Sequence, residues 1–294
     1  MQPGRFFTLR RSGASAFRPE DDILAYFPPL SRDVRARIRR LVREANDEEE
    51  AHEKVASFCA QSDELTGFCT RFSQETATIR QNGRDLCFPR GIPPVKFVLI
   101  AYGYLAWLER KYAMPGFCEV TAGDIVFDCG AYIGGFSMSV ADTAGTVYSF
   151  EPAPLNFRCL ERNAAQFPNI HARAIGLGRQ TGPMRLNLSK SSVEHSFLAP
   201  DRGASDRAIT VDVRTARDVV AEAGLTRVDF FKIEAEGFEI EVFQGLGDLR
   251  PRKIAIDVSP ERDRESPAAV LHRGLTEMGY DVRLRRNVLF AVLT

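Results

Sequence analysis

The stretch Asp128-Cys129-Gly130-Ala131-Tyr132-Ile133-Gly134 decides the fold, because it directly follows the short apolar run Ile125-Val126-Phe127. A run of that kind, bounded by glycines, is typical of a buried strand. The two glycines allow the sharp turn that leads from a strand into a helix, and they let a ligand approach the backbone closely. The pattern at 136–141 predicts that helix. The stretch therefore predicts a strand, a turn and a helix, with a ligand site at the turn.

The same alternation continues toward the C-terminus. Further strands are predicted at 146–150, 170–175, 228–233 and 254–258, and helices at 155–166 and 238–244. This order predicts an α/β, Rossmann-like, doubly wound and mostly parallel sheet with right-handed crossovers. The segments 280–284 and 288–293 predict an antiparallel C-terminal hairpin at the sheet edge.

A long insertion, residues 176–224, separates the third and fourth of these strands. Within it, residues 184–188 and 209–213 are expected to pair as extra strands. The polar segment 189–208 between them is long for a connection in a compact domain, and such loops are usually functional lids or disordered.

The region before the α/β pattern has a different texture. From Pro19 to about Gln81 the pattern is helical, and Ser31 is a suitable helix N-cap. The segment Arg90-Gly91-Ile92-Pro93-Pro94 then interrupts the pattern. We therefore expect a mainly helical N-terminal region, 1–95, and an α/β domain, 96–294. Three roles stay open for the helical region: covering an acceptor pocket, forming a homodimer or binding another protein.

The composition restricts the class of partner and compartment. Lys+Arg and Asp+Glu are equal at 39 each, which gives no basic surface for nucleic acid. The longest apolar run, residues 97–108, is shorter than the roughly 20 residues that a membrane helix needs. The 6 cysteines have no C-x-x-C spacing, which favours free thiols in a reducing compartment. We expect a cytoplasmic chain with no membrane span.

An acidic residue ends the second predicted strand, in Phe150-Glu151-Pro152. A carboxylate there accepts hydrogen bonds from ribose hydroxyls, and it follows the glycine turn by about twenty residues, as in nucleotide-binding sites. The dinucleotide fingerprint G-x-G-x-x-G is broken, however, and Asp128 before the turn suits a cationic ligand without phosphate. S-adenosylmethionine is such a ligand. An oxidoreductase with an NAD-type cofactor stays open as an alternative.

A third motif follows the fourth predicted strand, where residues 228–239 read Val-Asp-Phe-Phe-Lys-Ile-Glu-Ala-Glu-Gly-Phe-Glu. Together, the motifs at 128–134, 150–152 and 228–239 resemble those of FkbM-family methyltransferases, over roughly Cys118 to Val258. The resemblance implies a class I methyltransferase fold, S-adenosylmethionine as methyl donor and usually a hydroxyl acceptor. The family commonly has K-I-D-x-E-G, and this chain has Glu234 in place of the Asp.

The resemblance does not cover the N-terminal region, so a non-catalytic member that acts through that region is a second alternative. It does imply a set of site residues. The expected cofactor-binding residues are Asp128, Gly130, Ala131, Tyr132, Gly134, Glu151 and Pro152. Asp128 can either bond the cofactor or hold the loop.

On the acceptor side, Glu234 and Glu236 are expected beside the transferred methyl, where they orient the acceptor, hold the cofactor amine or bind a metal. His195, in the insertion, is the candidate general base, with a plain surface histidine as the alternative. No ligand spacing supports a metal site. A small molecule, a sugar or glycan, and a lipid all remain open as the acceptor.

Overall fold

A computed structural model describes residues 31–61, 69–81, 84–90, 103–189, 195–198, 204–262 and 265–294. No helix within these ranges is both long enough and apolar enough to cross a membrane. The described residues form a central seven-stranded sheet and two three-stranded sheets, with helices packed around them.

The N-terminal part combines helices with a small sheet. Its elements are α1 (Arg32–Arg43), α2 (Glu48–Ala60), β1 (Cys69–Phe72), β2 (Thr76–Gln81), β3 (Arg84–Pro89) and α3 (Tyr104–Lys111). Ser31 caps α1 as predicted, since its side chain accepts a hydrogen bond from the Val34 N–H. The helical prediction is correct for α1 and α2.

The helical prediction is wrong for residues 69–81. Residues 69–72 and 76–81 instead form an antiparallel sheet with residues 84–89, in the order β1-β2-β3. The physical reason lies in Thr76-Ala77-Thr78-Ile79, which is rich in β-branched residues that pack well on a pleated sheet. The sheet also buries Leu86 and Phe88. The region before residue 95 therefore mixes helices and strands.

The remaining elements alternate as predicted. They are β4 (Ile125–Cys129), α4 (Gly135–Val140), β5 (Thr146–Phe150), α5 (Pro154–Ala164), β6 (Ile170–Arg173), β7 (Gly176–Leu177), β8 (Gly182–Ser189), β9 (Ala204–Arg214), α6 (Ala216–Glu222), β10 (Phe230–Ile233), α7 (Glu239–Gln244), β11 (Lys253–Asp257), α8 (Ala268–Glu277), β12 (Tyr280–Arg285) and β13 (Val288–Leu293).

The central sheet has the order β12-β13-β11-β10-β4-β5-β6. Its strands are parallel except β13, which is antiparallel to both β11 and β12 and so confirms the predicted edge hairpin. The fold is that of a class I methyltransferase, as predicted. The strand order reverses between β4 and β10, whose C-terminal ends lie side by side with Cys129 opposite Ile233. A sheet of this kind binds ligands at that reversal.

Both faces of the central sheet are covered, which explains the continuous apolar runs. Phe127 and Phe231 pack on one face, and Val126 and Phe230 pack on the other. The boundary at residue 95 stays a prediction, but contacts cross it. The Asn163 side chain of α5 accepts a hydrogen bond from the Cys87 N–H at 2.7 Å.

The insertion forms its own sheet, β7-β9-β8, in which β8 and β9 are antiparallel. This pairing confirms the two extra strands, which extend beyond their predicted ends. Residues 190–194 and 199–203 of the predicted loop at 189–208 lie outside the described residues. Residues 195–198 are described and carry His195, and residues 204–208 belong to β9.

Candidate functional site

A cleft that is partly open to solvent lies at the C-terminal ends of β4, β5 and β10. It brings together every predicted site residue except Asp128 and Gly134. The predicted residues that line it are Gly130, Ala131, Tyr132, Glu151, Pro152, His195, Glu234 and Glu236. Residues from α3 and from the insertion complete its walls.

The turn after β4 is packed directly against the end of β10. Gly130 has a φ of +66°, and a Cβ there would lie 1.7 Å from the Glu234 carbonyl oxygen. Only glycine fits such a position. Tyr132 also has a left-handed φ, +53°, which is uncommon for a residue with a side chain. The turn therefore exposes its backbone to the cleft.

Gly134 packs against α5 and does not line the cleft. Its φ is +82°, and a Cβ there would lie 2.7 Å from the Leu160 side chain of α5. These contacts indicate a packing role for Gly134, and its assignment to the cofactor stays a prediction. Even the methyl group of an alanine would be too close to α5 at this position.

Asp128 lies beneath the turn and is fully buried. Its carboxylate accepts a hydrogen bond from the Ser137 hydroxyl at 2.6 Å and forms an ion pair with Lys232 at 3.0 Å. Lys232 also donates to the carbonyl oxygen of Gly130 at 2.8 Å. Of its two predicted roles, these contacts favour holding the loop over bonding the cofactor.

Glu151 is the buried carboxylate of the cleft. One of its oxygens accepts the Tyr132 N–H and the other accepts the Ala153 N–H, each at 2.9 Å. Burial raises the pKa of Glu151 to about 7, although both backbone hydrogen bonds oppose that shift. A carboxylate has about four acceptor positions, so Glu151 can still accept ribose hydroxyls.

Glu234 belongs to a buried charge network. Its carboxylate lies 2.7 Å from the Lys111 ammonium and 3.3 Å from that of Lys232, and Lys111 also lies 2.8 Å from Asp257. Burial alone would raise the pKa of Glu234, but the charges of Lys111 and Lys232 lower it well below its ordinary value. The Glu234 carboxylate is therefore ionised and fixed.

The loop after β10 positions Glu236. Glu236 has a φ of +50° and Gly237 has a φ of +91°. The buried Glu239 holds this loop, because its carboxylate accepts the N–H groups of Ala235 at 2.8 Å and Gly237 at 3.2 Å. A non-glycine residue in the left-handed region is strained, and such strain is concentrated at functional sites.

The insertion is anchored onto that same loop. The Ser196 hydroxyl donates to the Glu236 carbonyl oxygen at 2.7 Å, and the rings of Phe197 and Phe238 lie 4.9 Å apart. These contacts hold residues 195–198 at the cleft.

His195 has its Nδ1 engaged, since this atom accepts the Ser189 N–H at 3.0 Å. Burial lowers the pKa of His195, which favours the neutral imidazole. A neutral imidazole with an accepting Nδ1 carries its proton on Nε2. A base that acts through Nε2 needs the proton on Nδ1 instead, and an accepting Nδ1 does not carry it, so this hydrogen bond favours His195 as an N–H donor.

Several cleft residues were not singled out from the sequence. Tyr104 and Trp107 line the cleft from α3, and Phe197 does so from the insertion. The spacing of the two α3 aromatics was a usable signal, because residues three apart share a helix face. Lys111 gave no such signal, since a charged helix end is usually solvated. Within the described ranges, no group of His, Cys, Asp and Glu side chains could hold a metal ion.

Comparisons with known proteins point to one family. Residues 128–282 match the model of the methyltransferase FkbM domain. The 31-O-demethyl-FK506 methyltransferase FkbM of Streptomyces tacrolimicus is 27% identical over 218 residues, which cover 62% of this chain and 82% of that protein. Methyltransferase sdnD of Sordaria araneosa is 30% identical over 163 residues, covering 44% and 63%.

The hexuronic acid methyltransferase AglP of Haloferax volcanii is 25% identical over 135 residues, covering 44% of this chain and 52% of that protein. The chain thus spans between about half and four fifths of the length of these three relatives. Among solved structures, the methyltransferase FkbM of Methylobacillus flagellatus KT matches with a TM-score of 0.45 and 16% identity, covering 67% of this chain and 53% of that one.

The family model covers more than half of the chain, and it includes the turn after β4, Glu151 and the loop after β10. S-adenosylmethionine is the cofactor that this fold and this family indicate. The chain therefore belongs to the FkbM methyltransferase family.

Proposed function

We propose that the protein is an O-methyltransferase that moves the methyl group of S-adenosylmethionine to a hydroxyl of a small molecule, sugar or lipid. The observation that carries the proposal is the cradle formed by Glu151 and the turn Gly130-Ala131-Tyr132 at one end of the cleft. The cradle offers acceptors for ribose hydroxyls and a backbone that a ligand can approach.

The residues present fit this cofactor in two respects. A side chain at position 130 would collide with the backbone of Glu234. The turn therefore has only backbone at this position, and a ligand can approach it closely. Glu234 is already paired with Lys111 and Lys232, but Glu236 adds a further carboxylate to the same cleft, and negative charge there suits a cationic ligand. When bound, the cofactor supplies an electrophilic methyl group on a sulfonium.

The chain's own residues then align the reaction. Methyl transfer to oxygen is an in-line displacement, which is accelerated by holding the acceptor close and excluding water. Glu234 has a strongly lowered pKa and so makes a poor base. We assign it an electrostatic and orienting role. Glu236 is assigned to the acceptor hydroxyl or the cofactor amine, and the Nε2–H of His195 is assigned as a donor.

The names of two relatives support an acceptor that bears hydroxyls. One is named for 31-O-demethyl-FK506 and the other for a hexuronic acid.

We further propose that the region before residue 95 works as part of the enzyme rather than as a separate binding module. Asn163, whose amide bonds Cys87, lies on the helix that begins next to Glu151.

The test has two stages. S-adenosylhomocysteine and NAD are first titrated separately into the protein; binding of the former alone supports the proposal, and binding of NAD alone supports the oxidoreductase. Glu151→Ala should weaken S-adenosylhomocysteine binding by roughly 100-fold, because two charge-assisted hydrogen bonds to ribose are lost. Binding that is unchanged in this variant would remove the ribose assignment.

The second stage uses tritium-labelled S-adenosylmethionine and a panel of sugars, lipids and polyketide-like alcohols. Transfer of label to a hydroxyl supports O-methylation, and label that appears on nitrogen or carbon contradicts it. Cofactor binding without transfer to any acceptor, in lysate fractions as well as in the panel, would favour the non-catalytic alternative.

A further inference from the structure

Two buried thiols face each other across the junction between the N-terminal sheet and the α/β domain. Cys87 of β3 and Cys159 of α5 have their sulfur atoms 3.5 Å apart. Cys87 is 2% exposed and Cys159 is 0% exposed. A disulfide bond is about 2.05 Å long, so the two sulfurs need to approach by only about 1.5 Å.

The pair is held in place by the side chain of Asn163. This amide accepts the Cys87 N–H at 2.7 Å and donates to the Cys87 carbonyl oxygen at 3.0 Å. Asn163 follows Cys159 by four residues, so both side chains project from the same face of α5. The backbone of Cys87 is thereby fixed above Cys159, and the contact does not depend on a mobile segment.

Cys87 also differs electrostatically from the other cysteines whose side chains the structure describes. Its hydrogen bond with Cys159 lowers its pKa, and so does the guanidinium of Arg162, whose Nη1 lies 3.9 Å from the Cys87 sulfur. Burial instead raises the pKa of Cys59 and Cys118 to about 12. The thiolate is the reactive form of cysteine, so Cys87 is the favoured nucleophile among these residues.

We propose that Cys87 and Cys159 form a redox-active dithiol, which hydrogen peroxide oxidises to a disulfide that joins β3 to α5. The Cys87 thiolate attacks one peroxide oxygen, so that an S–O bond forms, the O–O bond breaks and a hydroxide leaves. Cys159 then attacks the resulting sulfenic acid, the S–S bond forms and the S–O bond breaks. The two thiols lose two electrons and two protons, and the peroxide becomes two waters.

The disulfide would tie the N-terminal sheet to the helix beside the cofactor cradle. Asn156 lies in the first turn of that helix and is within 3.5 Å of Glu151. Oxidation would thus lock the position of α5 relative to β3.

The experiment treats the full, reduced chain with hydrogen peroxide, alkylates the remaining thiols and digests without reductant. We expect a Cys87–Cys159 cross-linked peptide that appears about tenfold faster than oxidation of Cys59, Cys118 or Cys129. Dithiothreitol should restore both free thiols. No variant is needed for this measurement, so it does not depend on how well a core substitution folds.

Two variants test the order of the steps. In Cys159→Ser, Cys87 should stop at a sulfenic acid that dimedone traps, whereas Cys87→Ser should give neither the disulfide nor a dimedone adduct at Cys159. The proposal is overturned if Cys87 and Cys159 stay reduced at peroxide concentrations that oxidise the other thiols. A cross-link of Cys87 to a different cysteine would also overturn it.

Discussion

The two halves of the cleft are built in different ways. The donor half comes from two adjacent strand ends: the turn after β4 and Glu151 after β5, which lie close in sequence and are joined by the Tyr132 N–H to Glu151 hydrogen bond. The acceptor half comes from α3, the insertion and the loop after β10. Its central ion pair joins Lys111 to Glu234, 123 residues apart in the chain.

This difference shows which kind of binding site a local sequence motif can predict. A donor half made of backbone and one carboxylate needs particular residues at fixed spacing, so its pattern is visible in the sequence. An acceptor half made of long-range side-chain contacts can use many residue types, so its pattern is not. The predictions below test the two halves in turn.

The largest effect is expected in the donor half, for Gly130→Ala. The added Cβ would lie 1.7 Å from the Glu234 carbonyl oxygen, and the φ of +66° disfavours a side chain. Overpacking and left-handed strain together should cost about 4 kcal/mol of unfolding free energy and abolish S-adenosylhomocysteine binding. Urea denaturation and calorimetric titration measure the two losses.

Gly116→Ala is the matched control. Gly116 has a similar φ, +73°, but a Cβ there would meet nothing within 4 Å. This substitution should cost only about 1 kcal/mol and leave binding unchanged. Equal losses for both variants would show that backbone strain, and not the close packing against β10, makes glycine necessary at position 130.

The second prediction concerns the acceptor half, for Lys111→Met. The change leaves Asp257, which is 4% exposed in its side chain, and Glu234 without their shared cation. Removing one partner of a buried ion pair should cost about 3 kcal/mol, and the pKa of Glu234 should rise. Adding Asp257→Asn should recover part of the lost stability, measured by urea denaturation of the single and double variants.

Arg40→Met provides the surface control for this prediction. Arg40 pairs with Glu44 at 2.6 Å on the solvent face of α1, where both side chains are largely exposed. Solvent screens such pairs, so no measurable change in stability is expected. A loss as large as that of Lys111→Met would contradict the view that burial makes the Lys111 pairs important.

The contrast between the halves also explains what the sequence could predict. The order of strands and helices from β4 onward followed from apolar runs and glycines, because parallel strands buried on both faces leave a clear signal. The strands at 69–89 were missed, since a helical pattern just before them was extended too far. Lys111 was missed because only the tertiary fold brings a helix end to two distant carboxylates.

The same reasoning applies to single residues. Asp128 and Gly134 lie at the turn as predicted, but the Asp128 carboxylate pairs with Lys232, and Gly134 packs against Leu160 of α5 instead of lining the cleft. A motif predicts which residues lie at a turn. It does not predict which of them face the ligand and which hold the turn.

The third prediction is a pH dependence of the donor half. Burial raises the pKa of Glu151 to about 7. The ionised form of Glu151 accepts ribose hydroxyls best. Below pH 7, binding must therefore release the proton from Glu151. S-adenosylhomocysteine affinity should then fall by up to tenfold for each pH unit below 7. Glu151→Gln should bind more weakly and show a flatter profile between pH 5.5 and 8, a range chosen to bracket that pKa. An unchanged slope would assign the titration to another group, such as Glu239, whose pKa is also about 7.

The smallest effect is expected at His195, in the acceptor half. If Nε2–H is a donor, as the Ser189 N–H to Nδ1 hydrogen bond indicates, then His195→Gln keeps an N–H near that position and should retain turnover within about threefold. His195→Ala should reduce turnover about tenfold, the value of one hydrogen bond.

A general base would behave differently: both variants would lose roughly 100-fold or more of the turnover rate, and the acidic limb of the pH–rate profile would disappear. Methyl transfer to an acceptor from the panel, measured from pH 6 to 9 to span the ordinary titration of histidine, distinguishes the two roles. The donor result would show that the histidine of the insertion serves to position the acceptor rather than to deprotonate it.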